Sequence, residues 1–215
     1  MNRVISVIIL LLLYPAINYG QSEKKFTLEI FEQRISGELE KFFYYPDVNR
    51  NLQFVFIVTA KNDKEAINTR FITSVIKKTA EKDNIRYSFA NNTESLSKDS
   101  NYYIIRINNF KLQTKYPKFI KNKFLGDKTL ERDISGNINV DMQSADNSFS
   151  HNENIIINYR DVIEYDTYES YETAEYEFTK AKPPKVSALE SVIFPVLLVT
   201  ISAAATILFF TIRSK

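Results

Sequence analysis

His151 is the sole histidine and cysteine is absent, so the usual nucleophiles and soft metal ligands are nearly missing from this chain. A histidine-based triad needs an orienting acid and a nucleophile on a strained elbow, and no G-x-S-x-G run occurs. His151 stands in Ser148-Phe149-Ser150-His151-Asn152, which reads as a solvated loop. One histidine and no cysteine leave no ordinary zinc or copper site. Asp146-Asn147-Ser148 opens like a calcium loop, but His151 and Ile157 occupy the places of the required Gly and Glu. No cofactor is expected.

Charge and aromatics are grouped more suggestively. Asp161, Glu164, Asp166, Glu169, Glu172, Glu175 and Glu177 alternate with Tyr165, Tyr168, Tyr171 and Tyr176, and no base interrupts them between Asp161 and Lys180. Tyrosine is large, stiff and amphipathic, as interfaces favour. One reading is a docking surface for a basic partner or a weak cation site. The plainer reading is a final helix with tyrosines on the sheet and acids in water. Lys111, Lys115, Lys118, Lys121 and Lys123 form the opposite patch, with Phe110, Tyr116, Phe119 and Phe124 among them. A solvated hairpin, an anionic headgroup site or a partner for the acidic segment would each explain it. The candidate partner-binding residues are therefore Tyr165, Tyr168, Tyr171, Glu164, Glu169, Lys115, Lys118 and Lys121. Asn91-Asn92-Thr93 is a glycosylation sequon, meaningful only in a eukaryotic secretory pathway.

Both ends carry membrane signals. Arg3 and the apolar run Val4–Tyr14 read as an export signal over 1–20, its run spanning only about 16 Å as a helix. Cleavage after Gly20 and retention as an anchor both put the domain beyond it across the membrane. Val192–Ile212 holds 21 residues without a charge, followed by Arg213 and Lys215. As a helix it reaches about 31 Å, one hydrocarbon layer. Flanking positive charge puts the tail 213–215 in the cytoplasm and the domain outside. Thr200, Ser202, Ala204 and Thr206 give small residues at four-residue spacing, so self-association through this helix is one expected contact. With 28 basic and 26 acidic residues, the near-neutral chain gives no sign of a nucleic-acid partner.

The domain, 21–180, must position the charged groups. Leu28, Phe31, Ile35, Leu39 and Phe42 predict an amphipathic helix over Phe26–Phe43, despite Gly37 inside it. Leu52–Thr59 is apolar without alternation, as in a central strand covered on both faces. Asn62 or Asp63 caps a second helix buried through Ile67, Phe71, Ile72, Val75, Ile76 and Thr79. The period then becomes two. Ile85, Tyr87 and Phe89 start a strand, and Tyr103, Ile105 and Ile107 begin a longer one. Ile134, Gly136, Ile138, Val140 and Met142 share one strand face, with Asn137, Asn139 and Asp141 on the other. A polar tip, Gln143–Asn154, leads to Ile155–Tyr165. The expectation is α+β: a mixed sheet of about five strands, helices on one face, a linker over 181–191, and the C-terminal membrane helix.

This element order over residues 26–165 resembles small bacterial envelope domains of the curli-secretion, TolB N-terminal and penicillin-binding-protein-activator type. It is similar also to the lipopolysaccharide-assembly lipoprotein. The resemblance implies assembly or regulation of envelope machinery, by binding proteins or glycolipids and not by catalysis. It also implies a bacterial inner membrane with the domain on the periplasmic side. It transfers no functional residue, and the lipid-bearing cysteine of such lipoproteins is missing here. The sequence thus reads as a non-enzymatic, membrane-anchored accessory or scaffold whose partner is another envelope or membrane protein. Two alternatives remain: a glycan hydrolase drawing on Asp161, Glu164, Asp166 or Glu169, and a ligand sensor signalling through a membrane partner.

Overall fold

A computed structural model describes residues 24–60, 63–94, 96, 101–121, 128–185 and 188–213. The export signal, the caps at Asn62 and Asp63, and Lys123 with Phe124 lie outside the described residues or side chains.

Helix α1, Thr27–Phe43, starts where Glu29 reaches back to accept the Phe26 N–H at 3.1 Å. Its apolar stripe faces strand β1, Gln53–Val58, and helix α2, Asp63–Lys82. Ser36 Oγ and Thr79 Oγ1 are 2.8 Å apart between the helices. Since Thr79 donates to the Val75 carbonyl, Ser36 supplies the proton. Ile67 departs from the expected stripe and is exposed, because the burial of α2 starts one turn later at Phe71.

Strands β2 (Tyr87–Phe89), β3 (Tyr102–Lys121), β4 (Lys128–Ser144) and β5 (Ser150–Glu164) complete one sheet in the order β2-β1-β3-β4-β5. β1 is parallel to both β2 and β3, while β3-β4-β5 is an antiparallel meander. The α+β expectation, with two helices on one face, agrees with this arrangement. Phe54, Phe56, Tyr103 and Ile105 join the helices in the main core, while Val55, Ile57, Tyr102 and Ile104 form a smaller cluster across the sheet. That second cluster explains why β1 is apolar without alternation.

β1 ends opposite Ile107, so β3 continues alone on that side. A bulge between Asn108 and Lys111, with Asn109 at φ 51°, shifts the alternation so that Phe110, Leu112, Thr114 and Tyr116 become the buried set. Gly136 lies where Leu112 and Ile157 close in from the neighbouring strands. The expected polar tip is much shorter than Gln143–Asn154, because pairing continues to Gln143 opposite Ser150. Asp146 closes the turn by accepting from the Ser148 N–H and both serine hydroxyls.

The expected final helix over the acidic segment is replaced by two single 3-10 turns, Tyr168–Tyr171 and Glu177–Thr179. Acids at nearly every third position repel one another, and their tyrosines find places on the sheet without a helix. The last helix, α3, spans Ala188–Arg213. Pro195 lies inside it, removing one backbone donor. Among the described residues no helix is long and apolar enough to cross a membrane. The expected membrane helix therefore gains no support from the fold and stands on the amino-acid run alone.

Candidate functional site

From the end of β5, residues 165–181 cross the core side of the meander as a strap. Tyr165 meets the Phe119 ring edge-on at 5.2 Å and Tyr168 meets Tyr116 at 5.5 Å, over a cluster that includes Leu130 and Ile163. Tyr116 donates to Glu172 Oε1 at 3.0 Å, and the Ala181 N–H donates to the same oxygen at 3.0 Å. Thr114 donates to the Phe178 carbonyl at 2.8 Å, and Phe178 inserts edge-on against Phe31 at 5.0 Å. The strap is therefore clamped to β3 and to the helices at separate points. Burial, reinforced by Glu172, raises the Tyr116 hydroxyl far above its ordinary range. Burial and Glu169 raise Tyr168, and burial and Glu175 raise Tyr176.

Beneath the strap sits a group absent from the sequence-based candidates. Arg132 of β4 is wholly buried at 0 % exposure. Its Nε and Nη2 donate to the two oxygens of Asp161 at 2.9 and 2.5 Å, Nη1 to Thr27 Oγ1 at 2.9 Å, and Nη2 to the Lys25 carbonyl at 3.0 Å. The Tyr171 ring covers the guanidinium at 5.4 Å. One side chain thus joins the entry to α1, two strands and the strap. Its signal is present in the sequence: Arg132 continues the core-facing alternation of Ile134, Ile138 and Val140, where a charge demands a buried partner.

The predicted residues do not converge. Tyr165, Tyr168, Tyr171 and Glu169 lie on the strap, the tyrosines half-buried and Glu169 exposed. Lys115, Lys118 and Glu164 are exposed on the far, wet face of the sheet. There Lys115 stands opposite Asp133, and Lys118 opposite Glu131. Arg160 from β5 pairs with both acids. Lys121 is half-buried at the hairpin end, opposite Lys128. The acidic segment is therefore divided between the strap and the wet face, and the predicted residues do not form one surface. His151 is no loop residue: it lies in β5, its ring 4.5 Å from that of Tyr45 and 5.7 Å from that of Phe42.

Among the described residues no group of three or more acids or histidines could hold a metal. Of the four acids considered for hydrolysis, Asp161 borders a groove of about 750 Å³ between α1 and β5, and Glu164, Asp166 and Glu169 do not line it. Asp161 is committed to Arg132 there. The other carboxylate of that groove, Glu38, pairs with Lys41 at 2.5 Å.

No family model matches the chain, and no curated protein matches it. Among solved structures it is similar to a neuraminyllactose-binding hemagglutinin homolog from Helicobacter pylori, at 16% identity and TM-score 0.35, over 56% of this chain and 73% of that one. It is similar also to rare lipoprotein B from Shewanella oneidensis, at 11% identity and TM-score 0.28, over 75% and 95% of the two chains. A minor lipoprotein from Acinetobacter baumannii is similar at 13% identity and TM-score 0.26, over 55% and 73%. These are distant likenesses of fold to bacterial proteins that include two lipoproteins.

Proposed function

We propose that the chain is a membrane-tethered, extracytoplasmic binding or scaffold protein, an accessory in cell-envelope transport or assembly. The observation that carries this reading is the joining of an aromatic, acid-rich strap to an uncharged 21-residue run through only a short linker. Ala181 packs on the Tyr116, Leu130 and Ile163 cluster, and α3 begins at Ala188. The strap face is thereby held within about 25 Å of the start of the helix.

The anchor assignment rests on the sequence. No charge occurs in Val192–Ile212, and as a helix its 21 residues reach across one hydrocarbon layer, about 31 Å. The tail after Arg213 would then face the cytoplasm, with the domain on the periplasmic side of a bacterial inner membrane.

The partner is another envelope or membrane protein, and the half-buried Tyr165, Tyr168 and Tyr171 with Glu169 on the strap supply one contact surface. Binding is favoured over glycan hydrolysis because Asp161 serves Arg132, and Glu164, Asp166 and Glu169 lie outside the groove, exposed. In-cell crosslinking and purification of the full-length protein tests the reading. A defined membrane or envelope complex is the expected result, and recovery of the protein alone would contradict it.

A further inference from the structure

β5 is the last strand of the sheet and 15 residues long, and its outer edge is open. Among the described residues no backbone hydrogen bond from any element other than β4 reaches it. An open edge of this length offers alternate N–H and C=O groups to another strand, and proteins usually blunt such edges. Here the edge instead forms one wall of the groove of about 750 Å³, through Tyr159 and Val162, with α1 as the other wall.

Two features of that groove point to an occupant. The first is Gly37. It lies within α1, where glycine is disfavoured by about 1 kcal/mol relative to alanine. Nothing in the backbone calls for it, since its φ is not positive, and a Cβ there would meet nothing within 4 Å. A residue that weakens the helix without relieving any crowding keeps space open in the groove. The second is charge. Lys24, Lys25 and Arg34 line the groove, and none has an ion-pair partner among the described residues. The Lys25 ammonium donates to the neutral Gln33, and Arg34 rests on the Tyr159 ring at 5.5 Å. The two carboxylates there, Glu38 and Asp161, are already paired.

From these observations we infer that the groove binds an acidic, extended segment of a partner protein, which adds to the sheet along the edge of β5. Backbone hydrogen bonds supply affinity, and Lys24, Lys25 and Arg34 select acidic side chains at alternate positions. This deepens the binding-protein reading and rests on it.

The test uses the full-length protein in detergent and a fluorescein-labelled ten-residue peptide alternating glutamate and valine, followed by anisotropy. The acidic peptide is expected to bind saturably, at least tenfold more tightly than the same peptide with lysine for glutamate. N-methylation of alternate peptide nitrogens, which removes the backbone donors, is expected to cost a further tenfold. Gly37→Leu and Arg34→Glu are each expected to weaken binding tenfold. Gly37→Ala is expected to raise the unfolding temperature, showing that the glycine does not serve the fold. Equal binding of acidic and basic peptides, indifference to N-methylation, or wild-type binding by a folded Gly37→Leu protein would overturn the inference. So would no saturable binding up to millimolar peptide. A Gly37→Leu protein that fails to bind peptide yet recovers the same membrane partner as wild type also overturns this groove as the partner's site, and leaves the binding reading intact. If wild-type protein recovers no partner, the binding reading itself fails.

Discussion

Replacing Arg132 with alanine should be the most damaging single change on the β4 strand. The substitution removes four hydrogen bonds, two of them to Asp161, and empties a site with no solvent contact. Asp161 would remain, its side chain only 18% exposed, without its ion-pair partner. Removing one member of a buried ion pair costs about 3–5 kcal/mol. For a domain stable by about 5–15 kcal/mol, that is a large share of the total. With a urea dependence of about 2 kcal/mol per molar, the midpoint should fall by about 2 M. Urea unfolding of the full-length protein in detergent, followed by circular dichroism and tyrosine fluorescence, reads this directly. The companion is the double variant Arg132→Met with Asp161→Leu, which removes both charges and keeps the volume. It should be more stable than Arg132→Ala, because no lone charge stays buried. A loss below about 1 kcal/mol for Arg132→Ala, or a double variant worse than either single, would refute the reasoning.

The same structure sets other outcomes. Gly136→Ala places a Cβ 3.0 Å from both Ile157 Cδ1 and Leu112 Cδ2, so it should destabilise by about 1 kcal/mol, with relief by Ile157→Val in thermal unfolding. Three donors from Ser144 and Ser148 hold Asp146 down at about 2, so the turn it closes is supported above pH 4 and loses that support as pH falls toward 2. Amide exchange at Ser148 and Phe149 should accelerate over that window in wild type and be indifferent to it in Asp146→Ala. Tyr116, Tyr168 and Tyr176 are all raised by burial, so their contribution is complete below pH 10 and lost as pH climbs above it. Tyrosinate absorbance should therefore lag free tyrosine and then rise together with strap release, and Tyr116→Phe should reduce the lag. Finally, the full-length protein should resist alkaline carbonate extraction from membranes, while a chain running from Gln21 to Lys185 should be released.

The helices and the central strand can be read directly from the residues, because local periodicity decides them. The stripe of α1, the doubly apolar β1 and the alternating face of β4 each match what their neighbours require. The misses come from long-range pairing. The hairpin pairing up to Gln143 and Ser150 turns an apparently polar loop, His151 included, into strand. At Asn109 a bulge shifts β3's alternation, which no window centred on one period would show. The acidic segment does place its tyrosines on the sheet, yet its mutual repulsion argues against the helix expected there. Arg132 and Asp161 are legible as charges and not as a pair, since 29 residues separate them and only strand register joins them. The charged candidates fail to converge for the same reason: spacing along the chain does not say which face of a bulged strand a lysine occupies. Gly37 reads in the sequence only as a weak point in a helix, and its meaning depends on the groove beside it.

The central claim, a tethered domain that binds a partner, is tested most directly by photo-crosslinking in cells. A photoreactive residue would be placed singly at Arg34, Gly37 and Val162 in the groove, at Glu169 on the strap, and at Asn139 on the wet face as a control. Discrete crosslinks to one envelope or membrane protein from groove or strap positions, absent from position 139, are the predicted result. Equal or absent crosslinking at all five positions would contradict the account.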